Sequence, residues 1–140
     1  MTSAEAFRLL ATVHVGRVAY TYRALPGIQA VSHLIDHGDV IIRSHGRPPV
    51  ISPARAGTVL LAYEADTIDP ETFSGWRVTV TGNAGLIRDP DEIARYHRAL
   101  PAWPISNSTG QLIRLSPGLM SGYRFLGLTG SPPAGQQPEN

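Results

Sequence analysis

The sequence contains no cysteine and no lysine. Without cysteine the chain has neither a disulfide framework nor a thiolate metal site, and we expect a reducing, cytoplasmic location. All 12 positively charged side chains are arginine. Arginine suits planar, bidentate recognition of phosphate, although a GC-rich coding sequence would raise the arginine content in the same way.

Long apolar runs and a strong net charge are also missing. No run approaches the roughly 20 apolar residues that span a bilayer, and the opening MTSAEAFRLL lacks the basic and apolar parts of a secretory signal. The net charge is +1, whereas a nucleic-acid surface needs clustered positive charge. We therefore expect a soluble protein that binds neither nucleic acid nor membrane.

The 140 residues suit one domain, which we place at 1–128, followed by a disordered proline- and glycine-rich tail at 129–140. Capping patterns begin two short helices, one at Thr2 with Glu5 and one at Asp89 with Pro90. Strand-like segments make up most of the rest: 16–22, 28–36, 39–44, 58–66, 76–88 and 111–128. The pattern predicts a mainly β antiparallel barrel or sandwich with short helices. The proline-rich segment 45–57 is predicted to be a loop with at most one helical turn.

The segment SGWRVTVTG opens a strand with Trp76 and Arg77, whose side chains must face opposite ways because side chains alternate along a strand. Trp76 suits an apolar wall or a subunit interface, and Arg77 suits a polar ligand edge. The alternatives are a core aromatic and a solvated surface arginine.

Three histidines, His33, His37 and His45, surround the predicted hairpin at 36–39, but nothing directs them to a common point. A metal site is therefore not expected. His33 could donate a hydrogen bond or a proton to a ligand, or simply fill space. Nucleophile elbows, Walker-type loops and dinucleotide fingerprints are absent from the sequence.

The order of these motifs, from LLATVHVGRVAY through AYEADTIDP and GWRVTVTG to RDPDE, resembles the pyridoxamine 5′-phosphate oxidase-like, FMN-binding split β-barrel family. The resemblance covers roughly residues 3 to 126 and is most specific between Glu64 and Gly82. It implies a six-stranded antiparallel split β-barrel that forms a homodimer, with the flavin in a groove between the subunits.

The resemblance also implies site residues. The strand backbone at Gln29, Ala30, Val31, Ser32 and His33 would border the flavin ring. Arg43 and Ser44 match the family's phosphate-binding strand end, and Trp76 and Arg77 fall where a strand approaches the cofactor. Flavin-binding members usually have a glycine and a lysine after that strand end. Here Gly46 is followed by Arg47, Pro48 and Pro49, so Arg47 is expected to replace the lysine.

Two functions remain open on this basis. The first is a flavin-dependent oxidoreductase that uses FMN, or alternatively the deazaflavin F420, to transfer a hydride or an electron pair to a small organic substrate. The second is a non-catalytic barrel that binds haem, another tetrapyrrole or a cofactor. The absent lysine and the two prolines favour the second function, and the Arg43–Ser44 pair favours the first.

Overall fold

Six antiparallel strands and two helices form the protein in this computed structural model, which describes residues 1–46, 48–100 and 110–127. The elements, in chain order, are α1 (Ser3–Leu10), β1 (Val15–Tyr22), β2 (Leu25–Asp36), β3 (Asp39–Arg43), β4 (Val59–Ile68), β5 (Ser74–Leu86), α2 (Pro90–Ala99) and β6 (Leu112–Leu126). Arg47 and the predicted tail at 129–140 lie outside the described residues.

The strands close into a barrel in the order β1-β2-β3-β6-β5-β4. Every neighbouring pair is antiparallel, and β4 pairs with β1 to complete the ring. Strand β6 lies between β3 and β5, so it joins two strands that are not consecutive in sequence. The predicted fold class, mainly β with short helices and six antiparallel strands in a barrel, is confirmed.

Both helices begin at the capping residues from which they were predicted. The Thr2 hydroxyl accepts a hydrogen bond from the Glu5 amide, and the Asp89 carboxylate accepts one from the Glu92 amide. Pro90 occupies the first turn of α2, where its missing N–H costs nothing. No helix in the described ranges is long and apolar enough to cross a bilayer.

The proline in β6 is accommodated by an irregularity in the sheet. Thr81 of β5 faces Leu119, whereas the next residue, Gly82, faces Pro117, so Gly118 has no opposite residue. Such a bulge is where a strand tolerates a residue that has no N–H to donate. It lets β6 continue as one strand through a position that would otherwise end it.

Two apolar clusters stabilise the structure. The larger fills the barrel and includes Trp76, Tyr63 and Val78, and residues of α1 complete it. The smaller lies outside the barrel, where α2 covers β3 and β6 through Tyr96, Leu100 and Leu112. Because α2 packs on that outer face, it stands beside the end of β3.

Candidate functional site

A cavity of about 950 Å³ lies where β3 ends and α2 packs against the barrel. Its wall includes Ser44, Gly46, Leu86, His97 and Leu112. The volume is within the range of small-molecule sites. The predicted phosphate anchor at the end of β3 therefore opens onto a ligand-sized cavity.

A row of neighbouring side chains leads to this cavity across the end of β3. Ser32 of β2 and Leu112 of β6 flank Arg43 in register, and paired residues share a face of the sheet. The Arg43 Nη1 lies 3.3 Å from Nδ1 of His97, and His97 lines the cavity. The Ser32 hydroxyl is buried without a hydrogen-bond partner among the described residues. This row therefore places the Arg43 cation beside the Ser32 hydroxyl, to which a ligand could form a hydrogen bond.

Ser44 and the following loop are held by Gln111. The Ser44 Oγ accepts a hydrogen bond from the Gln111 amide at 3.2 Å, which leaves the hydroxyl hydrogen for a ligand. The Gln111 side chain donates to the Ile51 carbonyl at 2.6 Å and accepts from the Ile51 amide at 3.1 Å. The described residues between β3 and β4 contain no helix, as predicted. An anion here would therefore be bound by side chains and loop amides and not by a helix N-terminus.

The strand expected beside a flavin ring has one open edge. β3 pairs with β2 only from Ser32 to Asp36, so residues 25–31 have no strand from the described part of the chain on that side. The Gln29 amide nitrogen donates to the Pro48 carbonyl at 2.8 Å and to the Tyr20 hydroxyl at 3.1 Å. The Gln29 Oε1 is buried without a hydrogen-bond partner among the described residues. This part of β2 thus offers backbone groups and one side-chain acceptor to a planar polar ligand.

His33 faces the barrel interior. Its Nε2 lies 2.9 Å from the Leu10 carbonyl oxygen, and its Nδ1 is hydrogen-bonded to the Tyr63 hydroxyl. The side chain is fully buried, and this burial lowers its pKa. The His33 imidazole therefore connects α1 to the barrel core, and the His33 backbone amide donates to the His14 carbonyl at 2.9 Å. Contact between His33 and a flavin ring stays a prediction.

Trp76 and Arg77 face opposite ways, as the alternation along β5 requires. Trp76 is a member of the barrel core and is 7% exposed. Arg77 lies on the outer surface, where its guanidinium carbon is 5.5 Å from the centre of the Tyr123 ring. Neither residue lines the cavity. Their assignment to the cofactor stays a prediction.

A charged cluster surrounds Arg77 on that outer face. Arg17 of β1 lies 3.4 Å from the Glu64 carboxylate and 3.8 Å from that of Asp66. Partial burial and the adjacent Asp66 nevertheless raise the pKa of Glu64 to about 7, against the opposing effect of Arg17 and Arg77. Glu64 is therefore partly protonated near neutral pH. Asp69, by contrast, accepts the Glu71 and Thr72 amides in a turn, as expected of an Asp-Pro turn.

Sequence patterns did not identify His97, Gln111 or Arg88 as site residues. His97 and Gln111 come to the end of β3 through pairing and packing across more than 50 positions. The three histidines around the hairpin do not converge, and among the described residues no group of three His, Asp or Glu side chains could hold a metal ion. Of the predicted site residues, the structure brings Ser32, Arg43 and Ser44 together.

The chain resembles known proteins in sequence. The family model described as pyridoxamine 5′-phosphate oxidase matches residues 2–124. An uncharacterized protein of Mycobacterium tuberculosis, Rv0080, is 40% identical over 125 residues, which cover 87% of this chain and 82% of that protein.

Two solved structures from Mycobacterium smegmatis share the fold. An FAD binding protein has 26% identity and a TM-score of 0.65, covering 89% of this chain and 98% of that one. An FAD and heme binding protein has 17% identity and a TM-score of 0.63, covering 86% and 70%. The family match spans most of the chain, and the barrel agrees with it. The chain belongs to the pyridoxamine 5′-phosphate oxidase family.

Proposed function

We propose that this protein is a flavin-dependent oxidoreductase that binds a flavin nucleotide at the end of β3. The observation that carries the proposal is the register pairing of Arg43 with Ser32, whose buried hydroxyl has no partner among the described residues, next to Ser44, which lines a cavity of about 950 Å³. The FAD binding of the Mycobacterium smegmatis relative supports a flavin as the ligand, either FMN or FAD.

The residues present fit a phosphate group. Arg43 supplies a permanent charge, and charge-assisted hydrogen bonds from a guanidinium to phosphate are among the strongest in proteins. The Ser44 hydroxyl and the loop amides after it supply neutral donors. His97 holds the Arg43 guanidinium from the side of α2. These groups replace the lysine that the sequence lacks.

The chain itself would bind and orient the cofactor. The phosphate anchor fixes one end, and the open edge of β2 at residues 25–31 offers backbone groups to the ring. The bound flavin would supply the hydride or electron-pair chemistry. The apolar part of the cavity wall, which includes Leu86 and Leu112, would exclude water from the bound molecule.

Flavin titration tests the proposal. We expect FMN and FAD to bind at micromolar or lower concentration, and Arg43→Ala to weaken both by about 10- to 100-fold, the value of a hydrogen bond to a charged group. Riboflavin, which has the ring but no phosphate, should bind weakly and equally to the wild type and to Arg43→Ala. F420 is titrated in parallel as the alternative cofactor.

The control variant is Arg8→Ala, which removes an exposed arginine on α1 and should leave every affinity unchanged. Saturable haem binding without flavin or F420 binding would favour the non-catalytic alternative. Equal FMN affinity in the wild type and Arg43→Ala would contradict the anchor.

A homodimer is the second part of the proposal. Outward-facing residues of five strands lie in one register row: Ile28, Ala19, Ala62, Thr81 and Leu119. Ile28 is 73% exposed and Leu119 is 72% exposed. The mixed charges of Arg17, Glu64 and Asp66 border this row. A small, apolar centre with both signs of charge at its rim suits a two-fold, self-complementary interface.

Sedimentation velocity tests the dimer. We expect a species of twice the 15.1 kDa chain mass, and Leu119→Arg should shift it to monomer because it places a charge at the centre of the interface. Leu126→Arg, at the far end of the same strand and also exposed, should remain dimeric. A monomeric wild type at tens of micromolar would contradict this part of the proposal.

A further inference from the structure

A second cavity, about 700 Å³, lies beside the first between the β1–β2 turn and the loop before β4. Its wall includes Arg23 from the turn, Ser52, Arg55 and Thr58 from the loop, and Asn83 from β5. Among the described residues, no aspartate or glutamate lines it. The cavity therefore offers two guanidinium groups, hydroxyls and an amide, and none of its described residues has a carboxylate to repel an anion. These groups form a donor set for an anion.

Neither arginine of this cavity has an acidic partner among the described residues. Arg23 stacks over the Tyr22 ring at 5.2 Å, and the Arg55 Nη2 has only a long hydrogen bond, 3.4 Å, to the Thr58 carbonyl. Most donors of both guanidinium groups are thus uncommitted within the described ranges. By contrast, Arg17, Arg95 and Arg114 are each paired with carboxylates.

The backbone that presents Arg23 is strained. Arg23 and Ala24 have φ angles of 51° and 64°, the left-handed region in which a side chain costs roughly 1–2 kcal/mol per residue. Asn-Gly would suit this two-residue turn better. Arg23 therefore stands in a turn that other residues would form at a lower backbone cost.

The two cavities adjoin along the loop after β3. Tyr22 lines both of them. Pro49 and Pro53 line the first cavity, while Ile51 and Ser52, between them in sequence, line the second. Arg88 holds this boundary by donating to the Pro53 and Arg55 carbonyl oxygens at 3.3 Å. A ligand anchored at Ser44 can therefore extend over the loop toward Arg23 and Arg55.

We propose that the second cavity binds a phosphate-bearing group, and that this group is the adenylate half of FAD. In FAD the phosphate of FMN is linked to the phosphate of AMP, and the two form a diphosphate. FAD therefore carries one phosphate more than FMN. The proposal rests on the proposed function, with the FMN half in the first cavity. Arg23 and Arg55 then select FAD over FMN, while Arg43 acts on both.

The test compares FAD, FMN and ADP titrations of the full chain. Arg23→Ala and Arg55→Ala should each weaken FAD binding by about 10-fold or more and the double variant by about 100-fold, with FMN affinity unchanged within about twofold. ADP alone should bind the wild type weakly and the double variant not at all. Ala24→Gly is the matched control, since it relieves the turn, keeps Arg23 and should leave FAD affinity unchanged. Circular dichroism confirms that each variant is folded.

The outcomes separate this proposal from the proposed function. If FMN and FAD bound equally and neither arginine variant changed their affinity, the second site would be overturned. The proposed flavoprotein function would still hold. ADP binding that requires both arginines, without binding of any flavin, would support the phosphate site and overturn the flavoprotein. Binding of neither flavin nor ADP would overturn both.

Discussion

Gly75→Ala is expected to prevent the barrel from folding to a stable state. Gly75 has a φ of 143°, and a Cβ there would lie 1.7 Å from the Thr67 carbonyl oxygen. That oxygen belongs to the paired backbone of β4, so it cannot move without disrupting the sheet. We expect a loss of more than about 4 kcal/mol, a large part of the 5–15 kcal/mol that stabilises a typical domain. Urea unfolding and soluble yield measure it.

The matched control is Gly85→Ala in the same strand. The nearest heavy atoms to a Cβ there are 3.7 and 3.9 Å away, an ordinary contact distance. We expect the free energy of unfolding to change by less than about 1 kcal/mol. The change can be a gain as well as a loss, because glycine weakens a strand interior. If Gly75→Ala unfolded at the same urea concentration as Gly85→Ala, the backbone clash would be disproved.

The second large effect is expected from the buried hydrogen-bond chain that joins Tyr63, His33 and the Leu10 carbonyl. A carbonyl oxygen only accepts, so His33 carries its hydrogen on Nε2, and Nδ1 accepts from the Tyr63 hydroxyl. Tyr63→Phe should cost about 1–3 kcal/mol because it leaves a buried acceptor unpaired. His33→Leu leaves two buried groups unpaired and should cost about 2–5 kcal/mol.

The double variant distinguishes this chain from simple packing. His33→Leu with Tyr63→Phe removes both partners of one bond, so its loss should be smaller than the sum of the two single losses. Urea unfolding of the four proteins gives the coupling free energy. Strict additivity would show that the two side chains act independently.

The same imidazole makes stability depend on pH. Burial lowers the pKa of His33 in the folded protein, so below about pH 6.5 the unfolded chain binds more protons than the folded one. The contribution of His33 to the free energy of unfolding should therefore fall as the pH falls below about 6.5. Burial also lowers the pKa of His45, which acts in the same direction, whereas the raised pKa of Glu64 acts in the opposite one. Between about pH 6.5 and 5 the free energy of unfolding of the wild type should therefore decrease relative to that of His33→Leu, and a constant difference between the two would contradict the assignment.

Local signals predicted most of the fold. Capping residues such as Thr2 and Asp89 act within one helical turn, so the sequence alone indicates where each helix begins. The strand segments were found by their composition and alternation, with bounds close to those observed. The insertion of β6 between β3 and β5 could not be read from the residues, since it depends on pairing between segments that are far apart in the chain.

Some residues of the candidate site were also indicated by the sequence, and others were not. Arg43 and Ser44 were found because a polar pair ends an apolar strand. Gln111 and His97 were missed because nothing near them in sequence indicates that they meet the end of β3. The direction of the His33 side chain was also beyond the pattern, because Val31, Ser32 and His33 are all buried and the usual alternation of inner and outer positions fails there.

The position of β6 has a consequence for how the protein is made. Until the ribosome has synthesised this last strand, β3 and β5 each have an open edge, and the ring cannot close. Closure joins segments of high sequence separation, such as Val40 with Leu115, and such contacts form slowly. The nascent chain therefore exposes two strand edges to other chains during most of its synthesis. Chaperone protection of the incomplete barrel would matter more for the yield of this protein than for that of one whose strands pair in the order they are made.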